Sequence, residues 1–241
     1  MINTILLDLD GTLLQFSQEA FIGTYFTELK KVFAGMDIDP DLSVKAVWAG
    51  TKAMISNDGS RLNAHRFWET FAHTMRISNE QTGTIEAACD SFYINEFDAV
   101  RSILKPNDIT KPLVHTMVKK RYCVVLATNP LFPLCAVSTR LKWAGLELDD
   151  FQHITHYTNS TYCKPSRGYY SEIFLKINKN PEQCLMAGNN PSEDMVAAEL
   201  GSEVFLVTDY LENEADVDIT AFRRGTLAEL GAFLTSLPDI N

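Results

Sequence analysis

The stretch ILLDLDGTLL, residues 5–14, joins a run of apolar residues to an Asp-Leu-Asp-Gly-Thr segment and then returns to leucine. A continuous apolar run is typical of a strand buried on both faces, and we predict such a strand over residues 4–10. The two acids near its end, Asp8 and Asp10, need a separate reason. Carboxylates held this close raise each other's pKa and destabilise the fold, and a simple polar turn explains only the Gly-Thr that follows them.

The composition of the whole chain limits the classes of function. The chain has 241 residues, 46% of them hydrophobic, and a formal net charge of -10, so it can bury a large core but does not favour nucleic acid as a partner. The five cysteines include no C-x-x-C pair, which indicates neither a disulfide framework nor a zinc site. A signal-peptide pattern and a membrane-length apolar run are both missing, so we expect a cytoplasmic protein without a membrane partner. The oligomeric state stays open.

Four helical patterns follow the first strand with no strand between them. They cover about residues 17–34, 40–55, 61–76 and 79–97. Their starts carry capping signals at Ser17, Pro40, Ser60 and the pair Ser78 and Gln81. This run predicts a helical cap domain over residues 15–105, inserted into a core domain of residues 1–14 and 106–241.

From residue 106 onward, strand and helix patterns alternate. The apolar segments YCVVLATN, CLMAGNN and VFLVTD are separated by helical patterns near residues 110–120, 167–177 and 192–200, and Thr226 with Glu229 opens a last helix. Alternation of this kind predicts a Rossmann-like α/β fold, a parallel sheet with helices on both faces. Ligands of such sheets bind at the carboxyl ends of the strands.

Polar residues collect at these predicted strand ends. They are Asp8, Asp10, Thr128, Asn129, Asn189, Asn190, Glu193 and Asp194, with Lys164 in a polar loop before a helix. Because the carboxyl ends of parallel strands share one edge of the sheet, we expect these side chains to converge.

The segments DLDGT and ATN, the residue Lys164 and the segment GNNPSED resemble, in this order, the four motifs of the haloacid dehalogenase (HAD) superfamily of phosphohydrolases. The resemblance covers nearly the whole chain and includes a helical, C1-type cap between the first and second motifs. It implies a Mg²⁺-dependent phosphatase that acts on a small phosphorylated metabolite. It also explains an acid at the end of the first strand, which would be the attacking nucleophile. A metal is needed as well, because a carboxylate that attacks phosphorus repels the phosphate unless a cation lies between them.

The resemblance implies a role for each motif residue. Asp8 is the nucleophile, which forms an aspartyl-phosphate, and Asp10 is the general acid and base for the leaving alcohol and the hydrolytic water. The phosphate is bound by Thr128, Asn129 and Lys164. The metal is held by the Asp8 carboxylate, the Asp10 backbone carbonyl and the fourth motif, whose candidates are Asn189, Asn190 and Asp194.

The fourth motif departs from the family pattern. The family usually has an acid at or near the position after the glycine, whereas this chain has the amides Asn189 and Asn190, and the spacing to Asp194 leaves the register open. An amide oxygen can bind a hard cation but brings no charge, so we expect weaker Mg²⁺ binding. Three alternatives remain: a non-catalytic phosphate-binding or regulatory protein, a phosphomutase, and a dehalogenase, against which Asp10 counts.

The predicted cap offers weaker signals. Its charged residues are expected on the solvated face and its aromatic residues in its own core; they are Lys52, Arg61, His65 and Arg66, and Phe67, Trp68, Phe71 and Phe92. The segment ISNDGSR, residues 55–61, is the loop in which a turn could reach the cleft. His153 and His156 lack partners at ligand spacing, so we assign them no metal role.

Overall fold

The structure is a computed structural model and describes residues 1–240. Its sheet has six strands, each parallel to its neighbours, in the order β3-β2-β1-β4-β5-β6. The strands are β1 (Thr4–Leu7), β2 (Cys123–Leu126), β3 (His153–Ile154), β4 (Cys184–Gly188), β5 (Glu203–Val207) and β6 (Arg223–Gly225). The predicted parallel α/β sheet is confirmed. The first strand lies in its middle, so the carboxyl end of β1 is flanked by those of β2 and β4.

Helices cover both faces of this sheet. They are α1 (Gln18–Gly35), α2 (Pro40–Ile55), α3 (Asn63–Met75), α4 (Asn79–Asn95), α5 (Thr110–Lys119), α6 (Leu134–Trp143), α7 (Arg167–Ile177) and α8 (Leu227–Ser236), with 3-10 turns at Phe97–Ile103, Leu148–Asp150, Pro181–Gln183 and Met195–Leu200. Successive residues of β1 point to opposite faces: Ile5 and Leu7 pack in the cluster that contains α5 and α8, and Leu6 packs in the cluster that contains α7.

The first strand is shorter than predicted, because it ends at Leu7 instead of residue 10. The chain turns back directly after it, with the Gly11 amide donating to the Leu14 carbonyl and the Leu14 amide donating to the Leu9 carbonyl, each at 2.9 Å. Gly11 has φ +74°, a left-handed conformation that favours glycine. Asp8 is therefore the first residue beyond the strand, and its backbone amide still donates a hydrogen bond to the Ala187 carbonyl of β4 at 2.9 Å.

Most of the predicted helix starts are confirmed. The Ser17 side chain caps α1, and the Phe16 and Phe21 rings stack across that cap with centroids 5.3 Å apart. Ser78 and Gln81 form a capping box at α4. Capping boxes satisfy backbone amides that have no partner inside the helix, so the sequence signal is strong where both residues are present.

Two local predictions are wrong. Ser60 does not cap a helix: α3 begins at Asn63, and the Ser60 hydroxyl donates to Asp58 at 2.6 Å. The segment predicted as a helix over residues 192–200 is a turn followed by the 3-10 segment Met195–Leu200. In both places a side chain or a tight turn satisfies the backbone locally and delays or replaces the α-helix.

The helical segment between β1 and α5 contacts the rest of the chain at several places, and hydrogen bonds connect it to α6 and to the loop after β3. On α6, the Thr139 hydroxyl donates to the Tyr93 carbonyl and the Trp143 indole donates to Asp98, each at 2.9 Å. At the start of α3, the Asn63 amide donates to the Ser160 carbonyl at 2.9 Å. We propose the predicted boundaries, residues 15–105, for this segment as a cap, and we call it the cap below.

None of the helices in residues 1–240 is long and apolar enough to cross a membrane.

Candidate active site

Asp8, Lys164 and Asp194 form one buried ion-pair cluster at the carboxyl edge of the sheet. Lys164 Nζ donates to Asp8 Oδ1 at 2.7 Å and to Asp194 Oδ1 at 2.6 Å. The Lys164 and Asp194 side chains are each 1% exposed and that of Asp8 is 10% exposed. Burial alone would lower the pKa of Lys164, but the carboxylates of Asp194 and Asp8 outweigh it and raise that pKa well above its usual range. Lys164 is therefore a fixed cation beside Asp8.

The second oxygen of Asp8 faces the fourth motif. Thr12 Oγ1 lies 3.2 Å from Asp8 Oδ2 and 3.3 Å from Asn189 Oδ1. The Asn189 side-chain amide donates to the Tyr210 carbonyl at 2.6 Å, and this bond fixes the amide oxygen on the Asp8 side. An aspartate at this position could not donate to Tyr210. Asn189 thus directs a neutral oxygen ligand toward Asp8.

The side chain of the other asparagine, Asn190, forms hydrogen bonds within the turn that follows it. Its side-chain oxygen accepts from the backbone amides of Ser192 at 3.0 Å and Glu193 at 3.2 Å, and its own backbone amide donates to Asp194 Oδ2 at 2.9 Å. The oxygen of Asn190 is therefore used to shape the turn that carries Asp194. Both oxygens of Asp194 already have protein donors, one from Lys164 and one from this turn. In the structure Asn189, rather than Asn190, lies beside Asp8.

Two glycines let these side chains approach the backbone. A Cβ atom on Gly11 would lie 2.2 Å from Asn189 Nδ2, and one on Gly188 would lie 2.1 Å from Asp194 Oδ2. Real Cβ contacts are never this short, so any side chain at either position would displace the site. The glycines of DLDGT and GNNPSED are thus steric requirements of the cluster.

Asp10 is paired with Arg140, a residue that the sequence analysis did not single out. Arg140 Nη1 donates to Asp10 Oδ2, and the guanidinium lies 4.5 Å from the centre of the Phe132 ring. The Arg140 side chain is fully buried, and its Nε and Nη2, like Asp10 Oδ1, have no partner in residues 1–240. Burial raises the pKa of Asp10, although Arg140 acts in the opposite direction. A raised pKa suits a group that must carry a proton.

The residues predicted to bind phosphate lie on the same edge. The Thr128 carbonyl accepts from the hydroxyls of Thr155 at 2.6 Å and Tyr169 at 2.9 Å, so the peptide is held in place without using the Thr128 hydroxyl. The Asn129 side-chain amide donates to Glu193 Oε2 at 3.1 Å. These contacts position Thr128 and Asn129 beside the fourth motif.

Most of the predicted site residues line one cavity of about 260 Å³. Its lining includes Asp8, Asp10, Thr128, Asn129, Asn189, Asn190 and Asp194, and Lys164 lies behind Asp8. Glu193 and Glu212 line the same cavity. Glu212 comes from the loop after β5, where its backbone amide donates to the Asn189 carbonyl at 3.0 Å. Burial raises the pKa of Glu212 to about 7, and the charges of Asp8 and Glu193 add to this effect.

The two residues that sequence reasoning missed differ in how they could have been found. Arg140 lies on the buried stripe of α6, between the buried residues Val137 and Leu141, so a charge at an apolar helical position was a usable signal. Glu212 carries no such signal. It is one of 31 acidic residues and reaches the site only because the loop after β5 folds over Asn189.

The four charged cap residues considered from the sequence do not line the cavity, and two of them pair with acids of the cap. Arg61 pairs with Glu69 at 2.7 Å and Arg66 with Asp58 at 3.0 Å, in both cases with exposed acids. Lys52 and His65 do not line the cavity. Within residues 55–61, Gly59 packs on the Tyr162 ring, so this loop covers the segment that leads to Lys164.

The donor set around Asp8 fits Mg²⁺. Asp8 and Asn189 would supply side-chain oxygens and Asp10 a backbone carbonyl, and hard oxygen ligands of this kind, with several retained waters, are what Mg²⁺ prefers. In residues 1–240 no group of three or more His, Cys, Asp or Glu side chains is arranged to hold a metal. An ion here would therefore depend on a mixed set with one charged side chain, and the weak binding expected from the sequence stays a prediction.

We expect Glu212→Gln to stabilise the metal-free protein at about pH 8 by about 1–2 kcal/mol. The folded-state pKa of Glu212, about 7, lies above its usual 4.5, so folding is penalised increasingly as pH rises from 4.5 to 7 and fully above that. The range given is smaller than the full pKa difference would imply, because Glu212 is partly exposed. Urea unfolding in EDTA at about pH 8 and at about pH 4.5 measures the effect.

Glu214→Gln is the matched control, because Glu214 is exposed in the same loop. It should change the free energy of unfolding little at either pH. A Glu212→Gln effect of equal size at both pH values, or a loss of stability at about pH 8, would contradict the assignment of a charge penalty to this site.

Comparison with known proteins gives one family and several solved structures of the same fold. A family model described as haloacid dehalogenase-like hydrolase matches residues 2–201. No curated protein sequence matches the chain. Among solved structures, a HAD phosphatase from Thermococcus onnurineus is 16% identical, with a TM-score of 0.61 and coverage of 99% of this chain and 100% of that chain.

Two further solved structures are similar in the same way. A 2-haloacid dehalogenase from Pseudomonas syringae pv. Tomato DC3000 is 17% identical, with a TM-score of 0.64 and coverage of 97% and 98% of the two chains. The HAD-hydrolase YfnB from Bacillus subtilis, bound to magnesium, is 18% identical, with a TM-score of 0.58 and the same coverage. At these identities the likeness shows the fold alone.

Proposed function

The chain belongs to the haloacid dehalogenase-like hydrolases, and from this premise we propose that it is a Mg²⁺-dependent phosphatase. Its substrate is a small phosphate monoester, and its intermediate is an aspartyl-phosphate on Asp8. Both phosphatases and dehalogenases are found among the solved structures of this fold. The choice between them has to come from the site of this chain.

The presence of Asp10 in the same cavity as Asp8 carries this proposal. Attack on an alkyl halide needs one carboxylate, because the leaving halide takes no proton. Release of an alcohol from a phosphate ester needs a second group that delivers a proton to the leaving oxygen. Asp10 is such a group, since burial raises its pKa. A buried lysine that donates to Asp8, as found here, also favours a reaction whose transition state accumulates negative charge.

Each site residue has a separate role in the two steps of the proposed reaction. The Asp8 carboxylate attacks phosphorus, the bond between phosphorus and the ester oxygen breaks, and that oxygen takes the proton of Asp10. Water then attacks the phosphorus of the aspartyl-phosphate, gives a proton to Asp10, and releases Asp8 and inorganic phosphate. Thr128 holds the phosphoryl oxygens in line, and Lys164 supplies a fixed positive charge behind Asp8. Bound Mg²⁺ would supply the charge that lets two anions meet.

Purified protein with MgCl₂ should hydrolyse 4-nitrophenyl phosphate at least about 100-fold faster than the same protein in EDTA. Saturation should require millimolar Mg²⁺, because Asn189 adds no charge to the ligand set. Release of 4-nitrophenol measures the rate. In a parallel assay, 2-chloropropionate should release no chloride.

Three results would replace this proposal. Chloride release without phosphate hydrolysis would make the protein a dehalogenase. No hydrolysis above an Asp8→Asn variant would favour the non-catalytic reading, for which the neutral Asn189 is the supporting observation. Faster transfer of the enzyme-bound phosphoryl group to a sugar phosphate than to water would make it a phosphomutase.

A further inference from the structure

The cavity at the active site does not stop at the catalytic edge but continues into the cap. Asp8 and Asp10 line one end of its 260 Å³ volume, and side chains of α1, α2 and α3 line the other. The far end is apolar and includes Leu29, Val47 and Phe71. The space available to the part of a substrate beyond the phosphate is therefore set by hydrophobic cap residues.

Aromatic rings begin directly beside Asp10. The guanidinium of Arg140, which pairs with Asp10, lies over Phe132, and the Phe132 ring meets those of Phe21 at 6.0 Å and Tyr25 at 5.5 Å, edge to face. Under the proposed function, Asp10 sits beside the ester oxygen. The group attached to that oxygen must therefore meet this aromatic wall first.

The cap wall offers few polar partners to a substrate. The Tyr25 and Tyr93 hydroxyls bond to each other at 2.7 Å, and the Trp68 indole nitrogen lies 3.4 Å from the Tyr157 hydroxyl. The other polar cap residues that line the cavity are Gln18, Thr51 and Asp90. Most hydroxyls of a sugar placed here would therefore lose their water without gaining equivalent bonds, which is unfavourable for each unpaired group.

The wall also lacks positive charge. In the described part of the chain, the residues that line the cavity include no Lys, Arg or His, and the charged cap residue among them is the acid Asp90. A second phosphate or a carboxylate on the substrate would find no counterion in the cap and would be repelled by Asp90.

We propose that the alcohol part of the substrate is an uncharged apolar group, an aromatic ring or a cyclic or branched alkyl group, seated among the aromatic residues of the cap. This inference rests on the proposed phosphatase function and adds the class of leaving group. The size is suitable, because an apolar cavity of about 150 Å³ holds benzene, and the cavity here, at 260 Å³, leaves room for the phosphoryl group as well.

The test compares two esters that share one chemical framework. Cyclohexylmethyl phosphate and glucose 6-phosphate both carry the phosphate on a methylene attached to a six-membered ring, and they differ mainly in the hydroxyls of that ring. We expect kcat/KM for cyclohexylmethyl phosphate to be at least about 100-fold higher, since an apolar pocket rejects a single added hydroxyl by about that factor. Equal values, or a preference for the sugar, would overturn the inference.

Acetyl phosphate in the same assay separates the two proposals. If acetyl phosphate is hydrolysed with Mg²⁺ while the two ring esters are equal, the phosphatase function stands and the apolar substrate class fails. If no phosphate is hydrolysed, binding to the Asp8→Asn protein still decides the inference. Trp48 and Trp68 line the cavity, so their fluorescence reports binding, and cyclohexylmethyl phosphate should bind at least about 30-fold tighter than glucose 6-phosphate.

A cavity-filling variant checks the location. Val47→Phe should lower kcat/KM for cyclohexylmethyl phosphate about tenfold more than for acetyl phosphate, because the larger ring occupies the far end of the cavity. Val118→Phe is the matched control, since Val118 is 45% exposed on α5. If Val47→Phe changes kcat/KM for both substrates no more than the control does, the substrate ring lies elsewhere, and this result would overturn the inference. The comparison of esters on the unmodified protein does not depend on this variant.

Discussion

Replacing Asp8 by asparagine is expected to lower kcat for phosphate ester hydrolysis by at least about 10⁴-fold, the loss seen when an enzyme loses its nucleophile. An amide does not attack phosphorus, and it cannot form the aspartyl-phosphate that splits the reaction into two steps. The measurement is the release of 4-nitrophenol with saturating MgCl₂. Mass spectrometry of acid-quenched wild-type protein should also detect a phosphorylated peptide that contains residue 8, which the variant lacks.

This variant should remain folded, which makes its inactivity informative. Lys164 keeps its 2.6 Å bond to Asp194 when residue 8 becomes neutral, so no cation is left without a partner. Asp41→Asn is the surface control, because Asp41 is 87% exposed and pairs with Lys30 in the cap. Activity of Asp8→Asn within about tenfold of this control would mean that another group attacks phosphorus.

The sequence predicted the class of the fold because each signal depends on neighbouring residues. Alternation of apolar segments with helical patterns indicates a parallel sheet wherever it occurs, and the Ser78 and Gln81 capping box marks the start of α4 within a single turn. The same dependence on neighbouring residues explains why the sequence predicts an end of β1 that is three residues later than the observed one. Leu9 continues the apolar run, and only the backbone shows that it already belongs to a turn closed by Leu14.

The site was predictable to the extent that its motifs sit at strand ends. Asp8, Thr128 and Asn189 meet because β1 lies between β2 and β4. The sequence places the motifs at strand ends but does not predict the order of the strands. The register of the fourth motif was not predictable, since Asn189 and Asn190 differ only in the hydrogen bonds of their side chains. Their partners, the Tyr210 carbonyl and the amides of the turn, are backbone groups that carry no sequence signal.

The cap shows a different limit of prediction from sequence. A stripe of apolar residues at helical spacing predicts a buried face, but it does not tell a core from the wall of a cavity. On α2, Met54 is fully buried, whereas Trp48 of the same stripe lines the cavity and is 47% exposed. Phe67 and Phe71 are buried, as predicted, and also line the cavity. The same apolar stripe therefore supplies both core residues and residues that line the cavity.

Lys164→Met should destabilise the metal-free protein by about 3–5 kcal/mol and lower kcat by at least about 10³-fold. Lys164 holds Asp8 at 2.7 Å and Asp194 at 2.6 Å in a cluster that is nearly closed to water. Methionine fills a similar volume, but it leaves two buried carboxylates without a cation. Urea unfolding in EDTA and turnover in saturating MgCl₂ measure the two effects separately.

The double variant Lys164→Met with Asp194→Asn distinguishes a stability role from a catalytic one. Removing the acid that Lys164 neutralises should recover about half or more of the lost stability, because one buried charge disappears together with its partner. Activity should not recover, since the phosphate and Asp8 still lack their cation. Asp194→Asn alone keeps the lysine on Asp8 and should lose much less activity than Lys164→Met. If the double variant regained turnover along with stability, Lys164 would act only by holding the fold together, and the charge placed beside the attacking carboxylate would have no part in the chemistry.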